Sequence, residues 1–224
     1  MTRFWTEVGT VFRRDVVAEW RRGEVATVVL PFAVVALMVF PLAIGIDLPL
    51  LSRIGPAVFW AILLLFGMQV GLRVTSTENA VLRDALALTG SDPLARFVGR
   101  TASTTALLLG FSVVLYPAMA IFYYPDTPNR WLPLVGIVAL FVIGLGQLVT
   151  LAAQVTIGLG GRNSLAPLLI APLAIPLVVG ASQAMASMER GGSILNWTLL
   201  VIAVDLALVI TAILVARPLE EASR

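Results

Sequence analysis

Six apolar stretches, at about 26–46, 54–72, 102–123, 131–158, 165–183 and 194–216, dominate this 224-residue chain. Wound as a helix rising roughly 1.5 Å per residue, each reaches across a hydrocarbon layer of about 30 Å. A backbone in that layer finds no water, so each stretch must close its own hydrogen bonds as a helix. With 59% of residues hydrophobic and only 12% charged, no soluble domain of this size could hide the apolar surplus. The expected fold class is therefore an all-α integral membrane protein with six transmembrane helices. A single transmembrane domain over residues 1–224 is expected, because no linker, low-complexity segment or strong internal repeat divides the chain.

What the chain lacks excludes several chemistries. It has no Cys and no His, hence no disulfide, no thiolate nucleophile and none of the commonest metal or haem ligands. All 15 basic residues are arginine, and a formal net charge of +2 gives no footprint for nucleic acid. Without lysine no phosphate-binding G-x-x-x-x-G-K-[ST] loop can exist, so the chain is not expected to hydrolyse ATP itself. Two carboxylates for acid–base work are not available at one depth in the membrane, which disfavours a hydrolytic membrane enzyme. The chain is expected to be non-catalytic.

Residues 1–24 precede the first span. Trp5, Val8, Val11, Phe12, Val16 and Trp20 recur at helical spacing, with Arg3, Glu7, Arg13, Arg14, Asp15, Glu19, Arg21 and Arg22 mostly opposite. This predicts an interfacial amphipathic helix with its tryptophans at headgroup depth, both anchoring the chain and packing as an elbow on the bundle. Gly23 suits the corner that follows. A cleaved leader is not expected, since a charged segment and a full-length span take its place.

The arginines set the orientation. With the N-terminus in the cytoplasm, the inner segments hold 12 arginines and the outer loops only Arg53, Arg130 and Arg190. Both termini are then cytoplasmic, in the cytoplasmic (inner) membrane. The outer loops are short, and Tyr123, Tyr124 and Trp131 read as an aromatic belt around the second of them.

The longest polar interruption, residues 73–100, is then cytoplasmic. Thr75 and Glu78 have capping-box spacing, and Val81, Leu82, Ala85 and Leu86 give one apolar helical face. Gly90 suits a C-terminal cap, and Asp92-Pro93 suits the start of a second helix. The pattern predicts a short surface helix between two spans, with Glu78, Val81, Leu82, Asp84, Ala85 and Leu86 as its docking residues. It would either touch another protein or rest on the lipid bilayer.

Polar groups inside the membrane are few. Asp205 stands mid-span in the last stretch, where a carboxylate costs about 2.5–3.5 kcal/mol on insertion scales. It is expected to face the bundle, either in a buried interhelical hydrogen bond or as a proton or substrate site. Gln147 and Gln154 lie seven residues apart, on one face, with Gly144 and Gly146 beside them for close helix packing. Pro167, Pro172 and Pro176 crowd the fifth span and are expected to bend or break it.

This layout resembles an ABC-2-type permease, whose cytoplasmic coupling helix docks on a separate ATPase. At residue level, Phe40, Pro41, Leu42, Ile44, Gly45, Leu50, Leu51, Arg53, Ile54, Pro56 and Trp60 resemble the FPL-x-IG … LL-x-RI-x-P … W signature of the haem exporter protein B (CcmB) family. Gly158, Arg162, Leu169, Pro172, Ile175 and Pro176 are similar to its second motif. Around 78–93 the chain departs from the family, with Glu78-Asn79-Ala80-Val81-Leu82 in place of an acidic-glycine segment. The resemblance implies a permease subunit for cytochrome c-type biogenesis, present in two copies, with a CcmA-like ATPase and CcmC-like and CcmD-like membrane partners. It implies ATP bound on the partner, haem as a possible substrate and no cofactor held by this chain. ATP hydrolysis would drive haem export or release of the haem-loaded chaperone. Without His or Cys, only Met or Tyr is left as an axial haem ligand, which favours a conformational transducer. Two other readings stay open: an ABC-2-type exporter of another hydrophobic or amphipathic substrate, and a scaffold or small intramembrane carrier using Asp205 without any ATPase.

Overall fold

A computed structural model describes residues 2–45, 47–76, 92–123, 131–158 and 165–222. Its helices are α1 (Thr2–Arg22), α2 (Leu30–Ile44), α3 (Leu48–Ser76), α4 (Pro93–Tyr123), α5 (Trp131–Gly158), α6 (Leu165–Glu189) and α7 (Leu195–Ala222). A π-helical turn, Val25–Val29, leads directly into α2. Among the described residues there is no strand, and six helices are long and apolar enough to cross a membrane.

The first span, Val25–Ile44, begins after a sharp corner. Gly23 supplies it with φ 66°, a left-handed conformation that a Cβ would strain. The Glu19 carboxylate then accepts from the Val25 N–H at 2.7 Å, so α1 caps the helix that follows it.

Two spans start earlier than their apolar runs. Asp47 Oδ1 accepts from the Leu50 N–H at 3.1 Å, and Pro49 needs no hydrogen-bond partner in a first turn, so α3 starts at Leu48 rather than near residue 54. The segment read as the first outer loop, Arg53 included, is mostly helix. Likewise Asp92 Oδ1 accepts from the Leu94 N–H at 3.0 Å with Pro93 opening the helix. The helix start expected at Asp92-Pro93 is thus present, and the helix it opens is the third span itself, unbroken to Tyr123 rather than beginning near residue 102. At its other end α3 continues through Thr75 to Ser76, and Glu78, the other half of the expected capping box, lies outside the described residues.

The bundle is arranged around α5, which packs against α3, α4, α6 and α7, while α2 lies outside on α3 and α4. Apolar attraction between helices is weak in lipid, so shape complementarity carries the packing. Phe59 and Trp60 of α3, Tyr116 of α4 and Phe141 of α5 stack edge to face at 4.9–6.0 Å between centroids. Phe59, Trp60 and Phe141 are fully buried. The remaining faces of α2, α4, α6 and α7 present Phe32, Val39, Val113, Leu168, Ile175, Ile210 and other large apolar side chains outward.

Candidate functional site

The helix α1 lies along α4, and its inward face is chemically mixed. Val8 and Val11 pack at Gly99, where a Cβ would come within 2.9 Å of Val11 Cβ and of the Val8 carbonyl. One and two turns further on, the same face carries Asp15 and Glu19, both buried. The expectation that these acids sit with the exposed charges is therefore corrected. Trp5 and Trp20 are exposed, as an interfacial anchor requires.

Asp15 is held from two sides. Its Oδ1 accepts from Arg14 Nε at 3.0 Å, its Oδ2 accepts from Ser103 Oγ at 3.4 Å, and Arg100 Nε lies 3.9 Å from Oδ2. Asp15 and Arg100 are 5% and 6% exposed, so this is a buried ion pair. Breaking such a pair by removing one partner costs about 3–5 kcal/mol. Two further links join α1 and the corner after it to the neighbouring spans. Glu24 Oε2 pairs with Arg73 Nη1 at 2.7 Å in the last turns of α3. Glu7 Oε2 accepts from the Asp92 N–H at 3.1 Å just before α4. The N-terminal segment thus holds both the end of α3, at Arg73, and the residue before α4, Asp92. Glu78, Val81, Leu82, Asp84, Ala85 and Leu86, the expected docking residues, lie outside the described residues.

Neither the buried acids of α1 nor the partnership with Arg100 was read from sequence. The signal was available: Asp15 and Glu19 follow Val8 and Val11 at 3–4-residue spacing, which continues one helix face through both kinds of side chain.

The intramembrane polar residues fall into two groups. Asp205 of α7 is buried between α5 and α6, and neither carboxylate oxygen has a hydrogen-bond partner among the described residues. The expected interhelical hydrogen bond is absent there. Gly144 of α5 faces it: a Cβ at that position would collide with Asp205 Oδ1 and lie 2.7 Å from Leu177 Cδ2 of α6. Gly146 instead opens toward α4, with Thr105 Oγ1 2.7 Å from a notional Cβ, so the two glycines serve different neighbours. Gln147 is buried, with its Oε1 unpartnered, and Gln154 is half-buried one heptad on.

The prolines do not break the fifth span. Helix α6 is continuous from Leu165 to Glu189 with Pro172 and Pro176 inside it, and Pro167 falls in its first turn. Pro172 and Pro176 are four apart and so share a face; Pro172 is exposed and Pro176 half-buried. Each removes one helical bond, and the neighbouring turns hold the helix together. The reading of Tyr123 as an aromatic-belt residue is also corrected. Its ring is fully buried, and its O–H donates to the Leu37 carbonyl at 2.8 Å.

Comparison with known proteins bears on this architecture as a whole. A family model described as CcmB protein matches residues 6–220. Heme exporter protein B of Haemophilus influenzae is 28% identical over 177 residues, covering 78% of this chain and 79% of that protein. Heme exporter protein B of Bradyrhizobium diazoefficiens is 29% identical over 200 residues, covering 80% of this chain and 82% of that protein. The matched region runs from within α1 to the last turns of α7 and takes in all six spans, and this multi-pass membrane chain belongs to the CcmB protein family.

Proposed function

We propose that the chain is the membrane permease subunit of a CcmB-like ABC transporter complex for cytochrome c maturation. It transmits ATP hydrolysis on a separate CcmA-like ATPase to haem export or to release of a haem-loaded chaperone. Family membership supports the class, since both similar proteins are named heme exporter protein B. The observation that carries the mechanism is the grip of the N-terminal segment on both sides of residues 77–91, through Glu24–Arg73 and Glu7–Asp92. A segment meant to be pushed by an outside partner must be held by stems that move with the bundle. Here the stems are the end of α3, tied to the corner after α1, and the start of α4, tied to α1 itself.

In this reading residues 77–91 carry the coupling helix that docks on the ATPase, and arginine distribution puts them with both termini in the cytoplasm. The membrane is the cytoplasmic (inner) one. The chain works as two copies beside CcmC-like and CcmD-like proteins. It carries no catalytic residue and no cofactor of its own, ATP stays on the partner, and haem is substrate at most. The test is affinity purification of the tagged full chain from its native membrane. Recovery of an ATPase and a CcmC-like protein, with loss of c-type cytochromes on deletion, is the expected result. Recovery of an unrelated ATPase with normal cytochrome c levels would overturn it, and would favour an ABC-2-type exporter of another substrate.

A further inference from the structure

The proposed function needs no titrating group inside the membrane, yet the bundle holds one. Asp205 is 8% exposed in the middle of α7, with both carboxylate oxygens unpartnered among the described residues. On the facing helix, Gln147 is buried with its Oε1 also unpartnered, one helical neighbour (i, i+3) from Gly144, the residue that makes room for the carboxyl. All three unpartnered atoms are acceptors. Among the described residues no side chain donates to any of them.

Among the described residues no charged or titratable side chain on the surrounding helices pairs with Asp205. Helix α5 contains no charged or titratable residue at all. On α6 there is only Glu189, at its far end, 12 residues beyond Leu177. On α4, Arg100 is engaged with Asp15, Arg96 lies one turn nearer the start of the helix, Tyr116 packs on Phe59, and Tyr123 donates to Leu37. On α7 itself Arg217, Glu220 and Glu221 lie about three turns or more past Asp205. A carboxylate with neither cation nor donor is among the costliest groups a membrane interior can hold, whereas a carboxylic acid brings its own O–H.

We propose that Asp205 is an intramembrane proton-binding site, in which the bound proton supplies the donor missing at the α5–α7 contact. Gly144 is its companion: the backbone of α5 comes so close to the carboxyl that no side chain fits between them. Protonation and helix packing therefore act at one place. The carboxyl in its acid form carries its own donor into the contact, and losing the proton leaves a buried carboxylate there without one.

Infrared difference spectroscopy on the purified full chain in lipid nanodiscs, across the pH range in which it stays folded, tests this. The expected result is a carboxylic-acid carbonyl band that grows as pH falls and is missing from Asp205→Asn. If that variant does not fold, Asp205→Glu, which keeps the acid and shifts its band, serves the same purpose. Spectra in which neither substitution alters any acid band at any pH would overturn the proposal. So would a carboxylate band that responds to sodium against choline but not to pH, because the bound species would then be a metal cation.

Discussion

The Tyr123 hydroxyl donates to the Leu37 carbonyl at 2.8 Å, and Leu37 is the acceptor that Pro41 leaves without its helical donor. A helical N–H bonds the carbonyl four residues back, so proline at 41 frees the oxygen at 37. The end of α4 thereby completes the backbone of α2, 86 residues away in sequence. Gly55 of α3 makes the space, since a Cβ there would lie 2.7 Å from Tyr123 Cβ. Pro41 and Gly55 both lie within the stretch that resembles the family signature. Its proline removes a bond, and the fold beyond it restores one.

Tyr123→Phe is expected to lower stability by about 1 kcal/mol, the usual size of an interhelical hydrogen bond in a membrane bundle. Gly55→Ala is expected to cost more, because the added methyl would meet Tyr123 Cβ, which is fixed to the α4 backbone and cannot swing away. Thermal unfolding in nanodiscs compares the two. A Tyr123→Phe midpoint equal to wild type would mean that the Leu37 carbonyl finds another donor.

The two ion pairs at the α1 end should separate sharply. Arg100 and Asp15 are buried, and Asp15→Ala is expected to destabilise by about 3–5 kcal/mol. Arg73 and Glu24 are 40% and 50% exposed at their side chains, and Glu24→Gln is expected to cost no more than about 1 kcal/mol. Measured side by side, similar losses would show that α1 is not seated through Asp15. Raised salt should weaken only the second pair.

Six spans, the corner at Gly23 and the starts at Asp47 and Asp92 follow from residue type, although hydropathy alone puts two of those starts too late. An apolar window ends where a charge appears, whereas a helix begins where a cap and a proline allow it. The site was less legible for a related reason. Asp15, Glu19 and Tyr123 look like surface residues because each has a polar tip. Their partners lie outside their own helices: Arg100 for Asp15, the Val25 N–H across a corner for Glu19, and the Leu37 carbonyl for Tyr123. Nothing in local periodicity encodes those partners. Asp205 was visible as an anomaly from composition, but Gly144 could be matched to it only once α5 and α7 were packed.

The prolines of α6 give an opposite kind of expectation. Pro172 faces outward in an unbroken helix, so Pro172→Ala restores one backbone bond without touching the core. Stability is expected to stay level or rise. If cytochrome c formation falls while the thermal midpoint rises, the proline is kept for motion rather than for folding. A fall in both would show that the ring itself packs against something outside this chain.

Gly144 and Asp205 form the pair whose energetics can be read most directly. A methyl group on residue 144 overlaps the carboxyl and crowds Leu177, in a contact closed on both sides by helix. Overpacking of that kind costs about 1–3 kcal/mol. Asp205→Ala removes the obstruction along with an unpartnered polar group, so it should cost little or even stabilise. The two substitutions together should then be better tolerated than Gly144→Ala alone, with a coupling of about 1 kcal/mol or more in a double-mutant cycle. The measurement is the thermal or denaturant midpoint of the four proteins in one lipid system. Additive effects would mean that the carboxyl turns away when residue 144 acquires a side chain. In that case the close approach of α5 to α7 is set by Leu177 and not by Asp205.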